Sequence, residues 1–220
     1  MYDSYGRKCN SRFFVNYGFA LEENEDNQCV MWFTLPTSDP HYAMKLRLLA
    51  TSKGNIGSMI QGNQPKRFQI PIDYSEDVTK ECFSFLRFVH AKDSELLLLS
   101  SNERFDIKKI EPISLRNEME VIHDLAIAAE TSLSQFDTTI DEDNDILADS
   151  SISSNVRNAI VMRRGEKLVL EYYLALLDHV AQIVELPWSQ FKKHVAKLSG
   201  KGIFDAYITT VIVNLKKNDH

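Results

Sequence analysis

Apolar positions recur along most of this chain at the spacing of helices, broken by a few stretches with other patterns. Phe13, Phe14 and Tyr17 fall on one helical face, and Gly18 is a stop signal. The polar run from Glu22 to Gln28 reads as a solvated turn. Cys29 to Leu35 has the length and composition of a strand, and Pro36 ends it. Asp39 followed by Pro40 predicts an N-cap and first turn for a helix through Ala43, Leu46, Leu49 and Ala50. Lys53 to Asn63 is loop-like. Phe68 to Ile72 alternates, and Pro71 makes it an edge strand or extended loop.

The remainder is helical in pattern. Ser75-Glu76-Asp77 opens a helix that turns Cys82, Phe85, Leu86 and Val89 inward. Asp93-Ser94-Glu95 caps the run Leu96 to Leu99, whose apolar character on all sides predicts a buried short helix. Ser114 caps a long helix through Met119, Ile122, Leu125 and Leu133, expected to continue with a kink through Asp145 to Leu147. Ser153-Ser154 opens another, through Ile160, Val161, Leu168, Leu174, Leu177, Val180 and Val184, stopped by Pro187. Gly165 in its middle costs about 1 kcal/mol relative to alanine and implies close helix packing or a slight bend. Ser189 starts a shorter helix ending near Gly200. The β-branched tail Ala206 to Val213 fits a strand or a last apolar helix turn. These elements define a mainly α fold, in which each apolar stripe needs a partner and a bundle results.

Composition narrows the function classes. With 25 Lys and Arg against 31 Asp and Glu, the net charge is −6, which argues against a nucleic-acid partner. No apolar run approaches the roughly 20 residues of a membrane span. Three widely spaced cysteines do not read as a disulfide framework, and a reducing cytoplasm or nucleus is the expected compartment. The six histidines lack zinc-ligand spacing, so no metal is expected. Asp141 to Asp145 fails as a calcium loop, because the sixth and twelfth positions hold Ile146 and Ile152. It reads instead as a solvated helix face, and Arg163 to Lys167 reads as a charged helix face or a partner-binding spot.

The opening stretch carries a stronger signal. Tyr5-Gly6-Arg7-Lys8-Cys9-Asn10 followed by Phe13 to Phe19 resembles the end of a SET domain of the Rubisco large-subunit methyltransferase-like group. Tyr42 to Lys45, Phe85-Leu86-Arg87, Asn117-Glu118, Thr138 to Asp143 and Val161 to Lys167 follow in the order of that group's helical substrate-binding domain. Within the group, Thr138 to Asp143 and Arg163 to Lys167 look most like the branch that methylates a histidine of actin. The resemblance implies methyl transfer from S-adenosyl-L-methionine to a lysine or histidine nitrogen of a protein substrate, actin or a lysine-containing protein. It implies Tyr5 as the catalytic residue and Tyr17, Gly18 and Phe19 as cofactor-contacting residues. Cys9 and Arg12 depart from the serine and glutamate common in the group.

The organisation implied is a short α+β SET-domain remnant over residues 1–35, a helical substrate-binding bundle over 36–200, and a tail over 201–220. The group's glycine-rich cofactor motif and its Asn-His motif would lie before Tyr5, so the chain is expected to begin inside a larger fold and to be inactive alone, with an incomplete cofactor pocket. The competing expectation is a helical protein–protein interaction module without catalysis.

Overall fold

The computed structural model describes residues 6–52, 64–72, 74, 76–102, 104–198, 200 and 202–219. Helix α1 (Asn10–Tyr17) ends where predicted, because Gly18 takes the left-handed conformation at φ 77° and its N–H caps the Phe14 carbonyl. Strand β1 (Gln28–Phe33) pairs antiparallel with β2 (Lys66–Pro71), with Cys29 opposite Ile70 and Phe33 opposite Lys66. The period of two sends Cys29, Met31 and Phe33 into the core. Pro71 sits at the strand's last residue, and its carbonyl accepts a hydrogen bond from Tyr173 Oη at 2.6 Å. The loop-like stretch from Lys53 to Asn63 lies outside the described residues.

Helix α2 (Tyr42–Thr51) begins later than predicted. His41 is its N-cap, and Asp39 with Pro40 forms the turn before it. The Asp39 carboxylate is engaged elsewhere, accepting from the His41 N–H and from Lys45 Nζ, both at 2.6 Å. Lys45 is wholly buried and also reaches the Val89 carbonyl at 2.6 Å, so a charged side chain in the core takes priority over the cap.

Helix α3 (Asp77–His90) is buried along most of its length, including all four residues predicted to face inward. Helix α4 (Asp93–Ser100) corrects the expectation of a fully buried leucine helix. Leu96 and Leu99 are buried, but Leu97 and Leu98 are each 62% exposed. One side of a single short helix meets the core, and four successive leucines cannot all lie on it.

Helix α5 (Leu115–Leu133) starts at Ser114, whose hydroxyl accepts the Asn117 N–H at 3.0 Å. It does not continue with a kink. A separate helix α6 (Ile140–Ala148) follows, started by a capping box in which Thr139 Oγ1 accepts the Glu142 N–H at 3.1 Å and Glu142 Oε2 accepts the Thr139 N–H at 2.7 Å. Helix α7 (Ser154–Val184) is the longest element, N-capped by Ser153. Its inward face runs through Ile160, Val161, Val169, Tyr173 and Val180, while Leu168 is exposed. Pro187 then serves as N-cap for α8 (Trp188–Val195). The tail is helical from Asp205 to Asn218: α9 (Asp205–Tyr207), a π-helical turn at Ile208–Ile212, and α10 (Val213–Asn218). Burial of Tyr207, Ile208, Val211, Ile212 and Leu215 explains its apolar run, which packs as the bundle's last turn.

One large core joins β1, β2, α3, α5, α7 and the tail. A second, small cluster of Leu147, Ile160 and Val161 lies under α6, with Ala20 packed against it. Among the described residues no helix is long and apolar enough to cross a membrane, and no group of three acidic, cysteine or histidine side chains could hold a metal ion.

Candidate functional site

The segment between α1 and β1 is held by asparagines. Asn10 is buried, and its side-chain amide donates to the Leu21 carbonyl at 2.8 Å and accepts the Leu21 N–H at 3.0 Å. Asn24 Nδ2 reaches Asn10 Oδ1 at 3.0 Å and the Lys8 carbonyl at 2.9 Å. Asn27 Oδ1 accepts the Asn10 N–H at 3.1 Å. A loop of this kind has no regular ladder to satisfy its backbone, and side-chain amides do so by offering a donor and an acceptor at one tip.

Helix α7 holds the same segment from outside. Asn158 donates to the Gly18 carbonyl at 3.0 Å and accepts the Ala20 N–H at 3.1 Å, so its amide brackets Phe19. Arg164 donates to the Glu22 carbonyl at 2.9 Å. Gly165 lies against Asn27: a Cβ there would sit 2.4 Å from Asn27 Nδ2. The mid-helix glycine is thus a close-approach position, but its neighbour is a loop asparagine and not the second helix that the sequence reading expects.

Held in this way, three aromatic rings form a strip. Phe13 and Phe19 are stacked with centroids 5.1 Å apart, and Tyr17 lies 6.4 and 6.3 Å from them. Phe13 is buried, Phe19 partly so, and Tyr17 is 46% exposed. Among the described residues, none beyond its two chain neighbours has a heavy atom within 4 Å of a Cβ built on Gly18. Tyr17, Gly18 and Phe19 are consecutive in the chain, and with Phe13 the two rings make one cluster. Tyr5 lies outside the described residues.

Two buried ion clusters tie elements of the bundle together. In the first, Asp143 on α6 accepts from Lys167 Nζ at 2.7 Å, from Thr138 Oγ1 at 2.8 Å and from Arg163. Lys167 also donates to Thr138 Oγ1 at 2.9 Å and lies 5.1 Å from the Phe136 ring centre. Burial pushes the Asp143 carboxyl up, but the bonds from Lys167, Arg163 and Thr138 outweigh it and leave the pKa below the usual aspartate value. Asp141, Glu142, Asn144 and Asp145 are exposed, so the acidic run is a solvated face as read, except for buried Asp143. The Arg163 to Lys167 reading is corrected: Lys167 is fully buried and Arg163, Arg164 and Glu166 are only partly exposed, so the stretch is not an open charged face.

In the second cluster, Arg87 holds Glu118 in a fork, Nε to Oε2 at 2.8 Å and Nη2 to Oε1 at 2.7 Å. Tyr207 Oη donates to Glu118 Oε1 at 2.7 Å, Arg87 Nη1 to the Ile110 carbonyl at 2.9 Å, and Arg87 Nη2 to Tyr74 Oη at 2.9 Å. Burial works against the Arg87 charge, but the bonds and charge of Glu118 more than compensate and hold the Arg87 guanidinium pKa above its ordinary value. The cysteines offer no nucleophile. All three are buried, and burial pushes Cys29 up to about 12 and Cys82 well above the usual thiol range. Sequence reasoning missed the asparagine clasp. Its one signal is Asn158 inside a long helix, where asparagine is a poor helix former.

This arrangement defines a mainly helical domain with a two-stranded sheet and a clasped aromatic strip at its N-terminal side. The chain belongs to the family described as Rubisco LSMT substrate-binding, whose family model matches residues 36–170. Curated relatives include actin-histidine N-methyltransferases of Plecturocebus moloch and Homo sapiens, each 28% identical over 99% of this chain and 37% of the relative. The chain thus spans a little over a third of their length. Among solved structures, Rubisco LSMT bound to sinefungin and monomethyllysine superposes with a TM-score of 0.62 at 22% identity, covering 88% of this chain and 43% of the other. Rubisco LSMT bound to AdoMet gives 0.61 at 21% identity, covering 90% and 44%.

Proposed function

We propose that this chain is the substrate-holding part of an S-adenosylmethionine-dependent protein N-methyltransferase. In this reading residues 1–35 close the catalytic SET domain, 36–200 form the helical domain that grips the protein substrate, and 201–220 seal the bundle. The observation that carries the reading is similarity to actin-histidine N-methyltransferases over 99% of the chain, a span that takes in both Tyr5 and the aromatic strip.

The residues fit the cofactor. Gly18 lets the backbone approach a ligand closely, and Tyr17 and Phe19 are rings of the kind that cover a planar base. The cofactor supplies an electrophilic methyl group when bound. This chain's residues supply position. The Tyr5 phenol orients the target nitrogen by a neutral hydrogen bond without competing as a nucleophile. Asn158 and Asn10 hold the strip in place, so its rings need no ordering when the site is filled.

The favoured substrate is a histidine of actin, with a protein lysine as the alternative, and the favoured compartment is the cytoplasm, with the nucleus as the alternative. Incubating the complete protein with methyl-labelled cofactor, actin and lysine peptides tests this, with label expected on an actin histidine. Labelled lysine with untouched actin would redirect the substrate, and absence of label on any protein would end the reading. Calorimetry on the 220-residue chain alone is expected to show no micromolar affinity for the cofactor.

A further inference from the structure

Strand β1 has β2 on one side; among the described residues no strand lies on the other. Beside β1 runs a groove of about 520 Å³ whose far wall is α5. Its apolar contacts include Trp32, 57% exposed, and Ile127, 47% exposed, together with Ala128 and Pro36. Thr131 continues the α5 wall four residues on from Ile127, and Gln135, in the turn after α5, closes its end. The groove shares no residue with the aromatic strip.

Its charge is one-sided. The described lining holds the Asp124 carboxylate and no lysine or arginine. Asp124 is hydrogen-bonded to His90 Nε2 at 2.7 Å. Glu120 lies one turn earlier on the same helical stripe. The cation nearest in sequence on α5, Arg116, is committed to Glu95 and to the His90 carbonyl. The groove thus offers a strand edge, an apolar middle and an acidic end.

We propose that this groove binds an extended segment of a partner protein, which joins β1 as a third strand and places a basic side chain beside Asp124. Strand addition supplies main-chain hydrogen bonds for affinity, and alternate side chains supply specificity. Trp32 and Ile127 would cover one apolar residue of the segment, and the acidic end selects lysine or arginine. A second copy of this chain is the weaker occupant, because each copy carries net charge −6 and brings its own acidic groove. The proposal concerns docking and stands whether or not the partner is methylated.

The test is to pan a random decapeptide display library on the 220-residue chain and to measure the selected peptides by calorimetry and amide-shift mapping. Selected sequences are expected to alternate apolar and polar residues around a lysine or arginine, and to shift amides in 28–36 and 124–135. Asp124→Lys and Ile127→Glu, with thermal unfolding confirming that both remain folded, are each expected to weaken binding at least tenfold. Methylating alternate peptide amides is expected to abolish it. A panning that yields no such peptide, binders indifferent to both substitutions, or a dimer of the chain broken by Ile127→Glu would each overturn the proposal.

Discussion

Asn10 and Leu21, eleven residues apart, exchange two hydrogen bonds in the manner of neighbouring strands, with one residue's side chain standing in for a backbone. Asn10→Ala strands both Leu21 groups and is expected to cost about 2 kcal/mol. Asn10→Asp is expected to cost at least as much, because a carboxylate cannot donate to the Leu21 carbonyl. Urea unfolding monitored by tyrosine and tryptophan fluorescence checks both.

Gly165→Ala reverses the usual helix rule. Alanine gains about 1 kcal/mol of helix propensity. Its methyl group, however, would meet Asn27, whose amide is engaged with the Asn10 N–H. Net destabilisation of about 1–2 kcal/mol is expected. Asn27→Ala combined with Gly165→Ala is expected to cost less than the two single changes summed, which a double-mutant cycle measures.

The Arg87–Glu118 fork predicts a strong asymmetry. Arg87→Met leaves Glu118 buried and charged and is expected to cost about 3–5 kcal/mol. The double variant Arg87→Met, Glu118→Leu removes both charges and is expected to recover much of that loss. Equilibrium denaturation of the two variants decides the point.

Asp143 predicts an acid limb. Its carboxyl titrates lower in the folded chain than the ordinary value of 3.8, so the unfolded state takes up the proton first. The stability it contributes is complete above that ordinary value and is lost as pH falls through the lower folded one. Asp143→Asn removes this contribution and is expected to flatten the fall in melting temperature over that interval. Calorimetric melts across the acid range measure it.

Legibility in the sequence follows the reach of each cause. Gly18, Ser114 and Ser153 act on their own turn, and all three mark helix boundaries in the structure as they do in the sequence. Thr139-x-x-Glu142 is equally local, but the apolar residues of α6 mimic a continuation of α5, and periodicity hides the cap. The α4 leucines show the limit of composition, since Leu97 and Leu98 turn outward only because of where the core lies. Asp143 and Lys167 are 24 residues apart and resemble surface charges until folding pairs them. The β-branched residues of the tail suit a strand equally well, and burial against the bundle is what makes it helical. In the candidate site, the cluster of Tyr17, Gly18 and Phe19 is legible as a motif. The asparagines that fix it are not, because hydrogen bonds spanning up to 140 residues leave no local pattern.

Asn158 and Gly165 are separated by seven residues, two turns or about 10.5 Å of helix. That interval acts as a ruler: it matches the spacing at which the segment before β1 must be touched at Gly18 and again at Asn27. Inserting or deleting a single residue between them would rotate one contact by about 100° around the axis and break the match. Length changes are therefore forbidden in this stretch of α7, while substitutions on its outward side are free to drift.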